Sequence, residues 1–286
     1  MFEKCSLCGF KCNVDRNIKK GVCGLGVLPK LALVSTHMWE EPCISGKKGS
    51  GTIFFSGCNF SCIFCQNYQI SQENFGKEIT IERLAQIFIE QQEKGVNNIN
   101  LVSPTPYVPA IVEAIKIAKT NGLKIPIVYN TNGYDSLDAL RMLDGLIDIY
   151  LPDFKYFDNE IALKYSKAPN YFEVVTNAVI EMQRQVGSAK FDDNGIMQKG
   201  IIIRHLVLPG NVLQTKKILN WIKENMPKDI YISIMAQYFP TYKAKEVEPI
   251  NRKISKREYE IVTDLIDEFE NGYIQELRRT WGRICT

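Results

Sequence analysis

The chain has 286 residues, 45% of them hydrophobic and 23% charged, which is enough apolar material for a sizeable core. Its 35 Lys and Arg nearly balance 32 Asp and Glu, and a net charge of +3 argues against a protein built mainly to hold nucleic acid. No apolar run reaches about 18 residues, so no membrane span is expected. The N-terminus lacks the apolar stretch of a signal peptide, so the nine cysteines read as metal ligands or thiols of a cytoplasmic protein rather than as disulfides.

Residues 1–50 read as a cysteine-rich metal-binding extension and a connector. The part up to about Gly24 is polar, too short to bury a core, and needs a metal to order it. Cys5, Cys8, Cys12 and Cys23 give C-x2-C-x3-C-x10-C, which predicts a closed four-thiolate site. Two occupants fit: a structural zinc ion or a second, fully ligated 4Fe–4S cluster. The connector holds His37 and Trp39, read as packing residues, and Cys43, read as an ordinary thiol, as is Cys285.

Residues 51–286 alternate between two patterns. TIFFS, NINLVS, IPIVYN, IDIYLPDF, GIIIRHLVLP and DIYISIMAQY are compact apolar strands. After them come helical spacings in ITIERLAQIFIEQQEKG, YVPAIVEAIKIAKTNG, SLDALRMLDG, YFEVVTNAVIEMQRQVG, VLQTKKILNWIKENM and SKREYEIVTDLIDEFENG. Strands alternating with helices imply a parallel sheet with crossover helices. Six such units predict an α/β partial (β/α)6 barrel, with an open doubly wound sheet as the alternative. The stretch from Lys243 to Arg257 interleaves Lys and Glu and reads as a solvated loop and helix start.

GCNFSCIFCQNY places Cys58, Cys62 and Cys65 as C-x3-C-x2-C just after the first of these strands, on the rim where parallel folds carry their sites. A cubane cluster usually takes four thiolates, so three in one loop leave one iron open to a chelating substrate. A structural zinc ion with a fourth ligand elsewhere is the competing reading. Other rim candidates follow from strand parity. Leu151, Asp153 and Lys155 share a face. Arg204 shares one with Ile202 and Leu206, and a charge in an apolar strand calls for a carboxylate partner. His205 has the opposite parity and reads as a hydrogen-bonded core histidine. Asn130, Thr131 and Asn132 supply neutral polar atoms before a turn at Gly133. Gln237 and Tyr238 end the sixth strand, where adenine contact and ordinary rim packing both fit.

The triplet, with aromatic Phe64 before its third cysteine, resembles the radical S-adenosylmethionine (SAM) signature. HMWEEPCISG, GSGTIFFSGCNFSCIFCQNYQIS, NINLVSPT, PIVYNTNGY, DIYLPDFKY, YSKAPNY and RHLVLPG resemble the pyruvate formate-lyase activating enzyme-like subgroup. The resemblance implies a radical SAM barrel with a 4Fe–4S cluster on Cys58, Cys62 and Cys65, and SAM chelated through its amino and carboxylate groups. It implies an anaerobic oxidoreductase fed by a donor such as flavodoxin or ferredoxin, which splits SAM to methionine and a 5′-deoxyadenosyl radical. That radical would abstract hydrogen from a glycyl-radical enzyme or a peptide. A small metabolite is the alternative substrate, and a non-enzymatic electron carrier the remote one.

The same resemblance puts Asp153 and Lys155 near SAM and gives Arg204 the SAM carboxylate, with an Asp153 ion pair as the alternative. It assigns Phe64 and the Asn130–Asn132 turn to the cofactor site. Two departures stand out. Asn130 occupies a place where an acid is common, so no cation site is expected beside it. SPTP, from Ser103 to Pro106, replaces a Gly-Gly-Glu-like stretch.

Overall fold

Strands form where apolar, β-branched residues run together, and several helices begin at side-chain caps. The computed structural model describes residues 2–277 and the backbone of residues 281–285. Its elements in chain order are β1 (Lys30–His37), α1 (Pro42–Ser45), β2 (Ser50–Phe55), α2 (Tyr68–Ser71), β3 (Lys77–Glu78), α3 (Ile81–Glu93), β4 (Ile99–Val102) and α4 (Val108–Thr120). Then follow β5 (Ile127–Thr131), α5 (Leu137–Leu143), β6 (Ile149–Pro152), α6 (Asn159–Ser166), α7 (Tyr171–Val186), β7 (Lys190–Phe191) and β8 (Met197–Leu206). The chain closes with α8 (Val212–Asn225), β9 (Tyr231–Met235), α9 (Lys256–Thr263), β10 (Asn271–Gln275) and β11 (Trp281–Cys285). The Thr80 and Ser136 hydroxyls cap α3 and α5, and Ser255 with Glu258 forms a capping box on α9.

The strands join in the order β11-β10-β9-β8-β6-β5-β4-β2-β1-β3, with β7 paired to β8. From β2 to β10 every neighbour on this path is parallel. The path does not close on itself among the described residues, so the architecture is the open, partial barrel expected. All six expected strands are present, and β10 adds a seventh parallel one.

Two features differ from the sequence reading. Helical periodicity runs on to Gly272, but α9 ends at Thr263. A Cβ on Gly272 would stand 2.3 Å from the Ile232 carbonyl oxygen. The glycine is therefore the point where β10 lies close against β9, not a helix stop. The connector also contains a strand: β1 pairs antiparallel with β2 and covers what would otherwise be the edge of the parallel sheet.

Strand parity divides the interior. Ile127 and Tyr129 of β5 and Ile201 and Ile203 of β8 face the helices and belong to the main core. Val128, Ile149, Leu151 and Ile202 face inward, where Cys43 and Ile44 of α1 pack on them as an apolar plug. One pleat further toward the strand C-termini the inward residues become Asn130, Asp153 and Arg204. The plug thus lies one pleat below the residues that line a polar cavity. No helix among the described residues is long and apolar enough to cross a membrane.

Candidate active site

The inward polar residues and the loop after β2 enclose a cavity of about 520 Å³, within the usual range of ligand sites. The loop leaves β2 through Gly57, whose φ of 78° and proximity to Leu25 leave no room for a side chain. Its N–H donates to the Ile70 carbonyl at 2.9 Å, folding the loop back on α2. Cys58, Cys62 and Cys65 therefore all line the cavity. The Phe60 N–H donates to Cys58 Sγ at 3.4 Å, and Asn132 Nδ2 lies 3.6 Å from the same sulfur. Cys62 Sγ lies 2.9 Å from Ser166 Oγ, and Cys65 Sγ 3.2 Å from Ser71 Oγ. Burial pushes the Cys58 thiol up to about 12 and Cys62 up to about 11, the latter against the pull of the Lys155 ammonium. These buried thiols become good ligands when a cation deprotonates them. Phe64 lines the same wall and meets Tyr238 edge-on at 5.9 Å.

The same cavity holds a charged cluster. Arg204 Nε donates to Asp153 Oδ1 at 2.9 Å, Nη1 to Glu40 Oε2 at 3.3 Å, and Nη2 to Asn130 Oδ1 at 2.6 Å. Lys155 Nζ donates to Asp153 Oδ2 at 2.6 Å. Burial pushes Asp153 up, but Arg204 and Lys155 outweigh it and hold the carboxyl below its usual range. Burial likewise pulls Lys155 and Arg204 down, and the Asp153 carboxylate, joined at Arg204 by Glu41 and Glu40, more than reverses this. The guanidinium fork is thus shared among three acceptors, one of them the Asp153 partner held as the alternative to SAM.

The turn after β5 is fixed from below. Asp135 accepts from Thr131 Oγ1 at 2.6 Å and from Tyr129 Oη at 2.8 Å. Asn132 Nδ2 donates to Asn59 Oδ1 at 2.6 Å, tying this turn to the triplet loop. Ser103, at the start of SPTP, has a φ of 58° and donates its N–H to the Asn130 carbonyl at 3.0 Å. A non-glycine residue in the left-handed region beside a cavity marks a backbone held by its surroundings.

The structure separates several predicted residues. Gln237 lines the cavity. Tyr238 is buried outside the cavity lining and donates its hydroxyl to the Ile250 carbonyl at 2.5 Å. His205 is a core residue, bridging the Phe154 carbonyl at 2.7 Å and Thr215 Oγ1 at 2.9 Å, and burial pushes it down to about 4. His37 and Trp39 line the cavity rather than packing the connector, and Trp39 is 73% exposed. Cys43 is buried in α1, and the side chain of Cys285 lies outside the described residues. Cys5, Cys8, Cys12 and Cys23 line a separate small pocket behind the triplet loop.

Sequence reasoning missed Glu40 and Glu41. Both line the cavity, and burial raises both carboxyls against the opposing pull of Arg204. The available signal was a pair of adjacent acids beside a tryptophan in HMWEEP, with no strand parity to orient them.

A family model described as the Radical SAM superfamily matches residues 52–222. "Uncharacterized protein MJ0674" of Methanocaldococcus jannaschii is 34% identical over 96% of this chain and 78% of its own length. Among solved structures, Streptococcus suis SuiB bound to precursor peptide SuiA has a TM-score of 0.51 at 15% identity, covering 73% of this chain and 44% of SuiB. Methylornithine synthase (PylB) has a TM-score of 0.51 at 17% identity, covering 77% of this chain and 62% of that one. The chain thus spans between 44% and 62% of the length of these two structures, and the likeness concerns the fold.

Proposed function

Since the chain belongs to the radical SAM superfamily, we propose that it cleaves SAM at a 4Fe–4S cluster held by Cys58, Cys62 and Cys65, and takes hydrogen from a peptide or protein, as a glycyl-radical activating enzyme does. Membership implies the cluster and SAM, and the donor set fits both. Three thiols on one loop, each next to an N–H or hydroxyl, suit a cubane with one open iron. The cavity beside them holds charges of both signs for a zwitterionic ligand. The single observation carrying the reading is that the triplet and the Asp153–Lys155–Arg204 cluster line one cavity.

When bound, the cluster supplies the electron that splits the SAM sulfonium into methionine and a 5′-deoxyadenosyl radical. The chain's own residues bind and orient. Lys155 spends only one of its three donors on Asp153 and is the cation assigned to the SAM carboxylate. Arg204, with three side-chain acceptors, acts as a positioning residue that holds Asp153 and Asn130 in place. Asn130, Thr131 and Asn132 offer neutral polar atoms to the ribose. Phe64, Leu206 and Met235 give the cavity an apolar wall for adenine. Electrons come from a low-potential donor of the flavodoxin or ferredoxin class.

Two features support a large substrate. The sheet is open among the described residues, and Trp39 is exposed at the cavity, where an aromatic face suits a docked peptide. The motif resemblance to pyruvate formate-lyase activating enzyme-like proteins points the same way.

The test uses anaerobically reconstituted protein given SAM and a one-electron reductant, with 5′-deoxyadenosine measured by chromatography. Product is expected from the parent and none from Cys62→Ala. A fully loaded cluster that yields no product, and whose EPR signal does not respond to SAM, would overturn the assignment. A glycyl EPR doublet on a candidate glycyl-radical protein is the outcome expected of the activase reading. Its absence with every such protein, while a small metabolite turns over, would replace that reading with metabolite chemistry.

A further inference from the structure

The N-terminal cysteine segment is docked on the back of the active-site turn. The Gly9 N–H donates to the Tyr134 carbonyl at 3.2 Å, and the Ser136 N–H to the Leu7 carbonyl at 3.1 Å. Cys8 bridges Asp135 between these two bonds. Gly9 lies so close to the Tyr134 ring that a Cβ would stand 2.4 Å from it. The segment therefore touches the loop that carries Asn130, Thr131 and Asn132, on the side away from the cavity.

Cys5, Cys8, Cys12 and Cys23 line one pocket there, together with Arg16 and Asn59. Two of these neighbours lack something. Arg16 is only 3% exposed and donates to the carbonyls of Leu25, Pro106 and Gly26, yet it enters no ion pair with a carboxylate among the described residues. A buried guanidinium without an anion is costly. Asn59 is 5% exposed, and its Nδ2 is buried without any hydrogen-bond acceptor. Its Oδ1 is occupied by Asn132, so the free N–H pair is left to the cysteine pocket. A missing negative charge and a missing acceptor beside four thiols have one common remedy. Four thiolates around a divalent metal, or around a cubane core, carry net negative charge and present sulfur lone pairs to N–H donors.

We propose that Cys5, Cys8, Cys12 and Cys23 bind a second, closed thiolate metal centre, whose charge is balanced by Arg16 and whose sulfur accepts from Asn59. Binding of a zinc(II) ion, or of a preassembled [4Fe–4S]2+ core delivered intact, releases the thiol protons to solvent and changes no oxidation state. Zinc and a 4Fe–4S cluster share this chemistry. Among the described residues no three Cys, His, Asp or Glu side chains meet at a single-ion position. Zinc binding therefore requires the thiols to rotate inward, while a cubane bridges a wider set. The centre would close the end of the chain onto the Tyr134–Ser136 loop and, through Asn59, back the Asn132 contact with Cys58.

The full-length protein with Cys58, Cys62 and Cys65 all changed to Ala isolates this site from the proposed active-site cluster, so its outcome does not depend on that assignment. Zinc, iron and acid-labile sulfide would be counted after anaerobic expression and reconstitution. Either about one zinc per chain without sulfide, or about four irons with matching sulfide, is expected, and the count identifies the occupant. Adding Cys12→Ser and Cys23→Ser should remove that metal, whereas adding Cys43→Ser should leave it. Trypsin supplies a second readout on the unaltered chain, since Lys11, Lys19 and Lys20 are exposed around the ligands. Cleavage there should be slow in the loaded protein and fast once a chelator has stripped the metal. Substoichiometric metal in the triplet-less protein, or full metal after Cys12 and Cys23 are replaced, would overturn the proposal. So would cleavage rates unchanged by the chelator.

Discussion

Replacing Asp153 with Asn removes the carboxylate that joins the two cavity cations while keeping its shape. Its side chain is 15% exposed and accepts from Arg204 at 2.9 Å and from Lys155 at 2.6 Å. Arg204 would keep Glu40 at 3.3 Å. Lys155 would keep no carboxylate within ion-pair reach among the described residues. Breaking a buried ion pair from one side costs about 3–5 kcal/mol. The retained Glu40 contact and the Asn carbonyl place this case near the lower end, about 3 kcal/mol, equivalent to a fall of about 5–10 °C in melting temperature. The pH dependence has a definite sign. Arg204 and Lys155 hold the folded carboxyl below its unfolded value despite burial, so its stabilisation is full above about pH 4 and fades as pH falls through the lowered folded value. The deficit of the variant should therefore be constant from about pH 5.5 to 8 and shrink only below about pH 4. Thermal scans at a fixed rate on loaded protein, compared across that range, provide the assay. Adding Lys155→Met should recover part of the loss, because the stranded cation goes with it. A variant within about 1 kcal/mol of the parent at pH 7 would refute the reasoning, since the carboxylate would then not be offsetting the burial of two cations.

Three further predictions concern the supports of the cavity. Burial raises the folded Glu41 carboxyl, and its Oε2 has no partner. The parent should lose stability relative to Glu41→Gln as pH rises from about 4.5 through the folded value, with the two converging at lower pH, read from unfolding curves at stepped pH. Burial pushes His205 down to about 4, so the unfolded chain binds the extra proton between about pH 4 and 6.5 and parent stability should rise with pH there; His205→Gln should flatten that rise. Gly133 has a φ of 76°, and a Cβ would stand 2.7 Å from Val175 and 2.9 Å from the Asp153 carbonyl oxygen. Gly133→Ala should cost more than about 1 kcal/mol in stability and weaken SAM binding measured by calorimetry. Unchanged affinity would separate this turn from the SAM site.

What the sequence made legible was local in character. The triplet is a loop motif whose chemistry depends on spacing within a few residues, and it sits where a parallel strand ends. The six strands and their helices were readable because burial on both faces gives continuous apolar runs and crossover helices give a 3.6-residue period. β10 was not, because NGYIQ becomes a strand by pairing with β9 and β11, with Gly272 at the Ile232 carbonyl. β1 was hidden for the same reason: its burial alternates irregularly, and its place is defined by pairing with β2.

The charged cluster marks the limit of parity reasoning more sharply. Alternation put Arg204 inside and required a carboxylate, and one was found 51 residues away in Asp153. Alternation says nothing of Glu40, 164 residues away on an irregular segment between β1 and α1. Yet Glu40 and Glu41 decide the charge of the cavity. Arg204 and Lys155 alone would leave it cationic, while Asp153 and two ionised glutamates would make it anionic. Burial raises both glutamates while Arg204 pulls them back toward ionisation, so the negative charge that surrounds Lys155, and that a ligand's carboxylate meets, depends on the balance between those two effects. The adjacent acids that no periodicity could orient thus set whether the cavity accepts a zwitterion, and the choice depends on burial, which only the folded chain supplies.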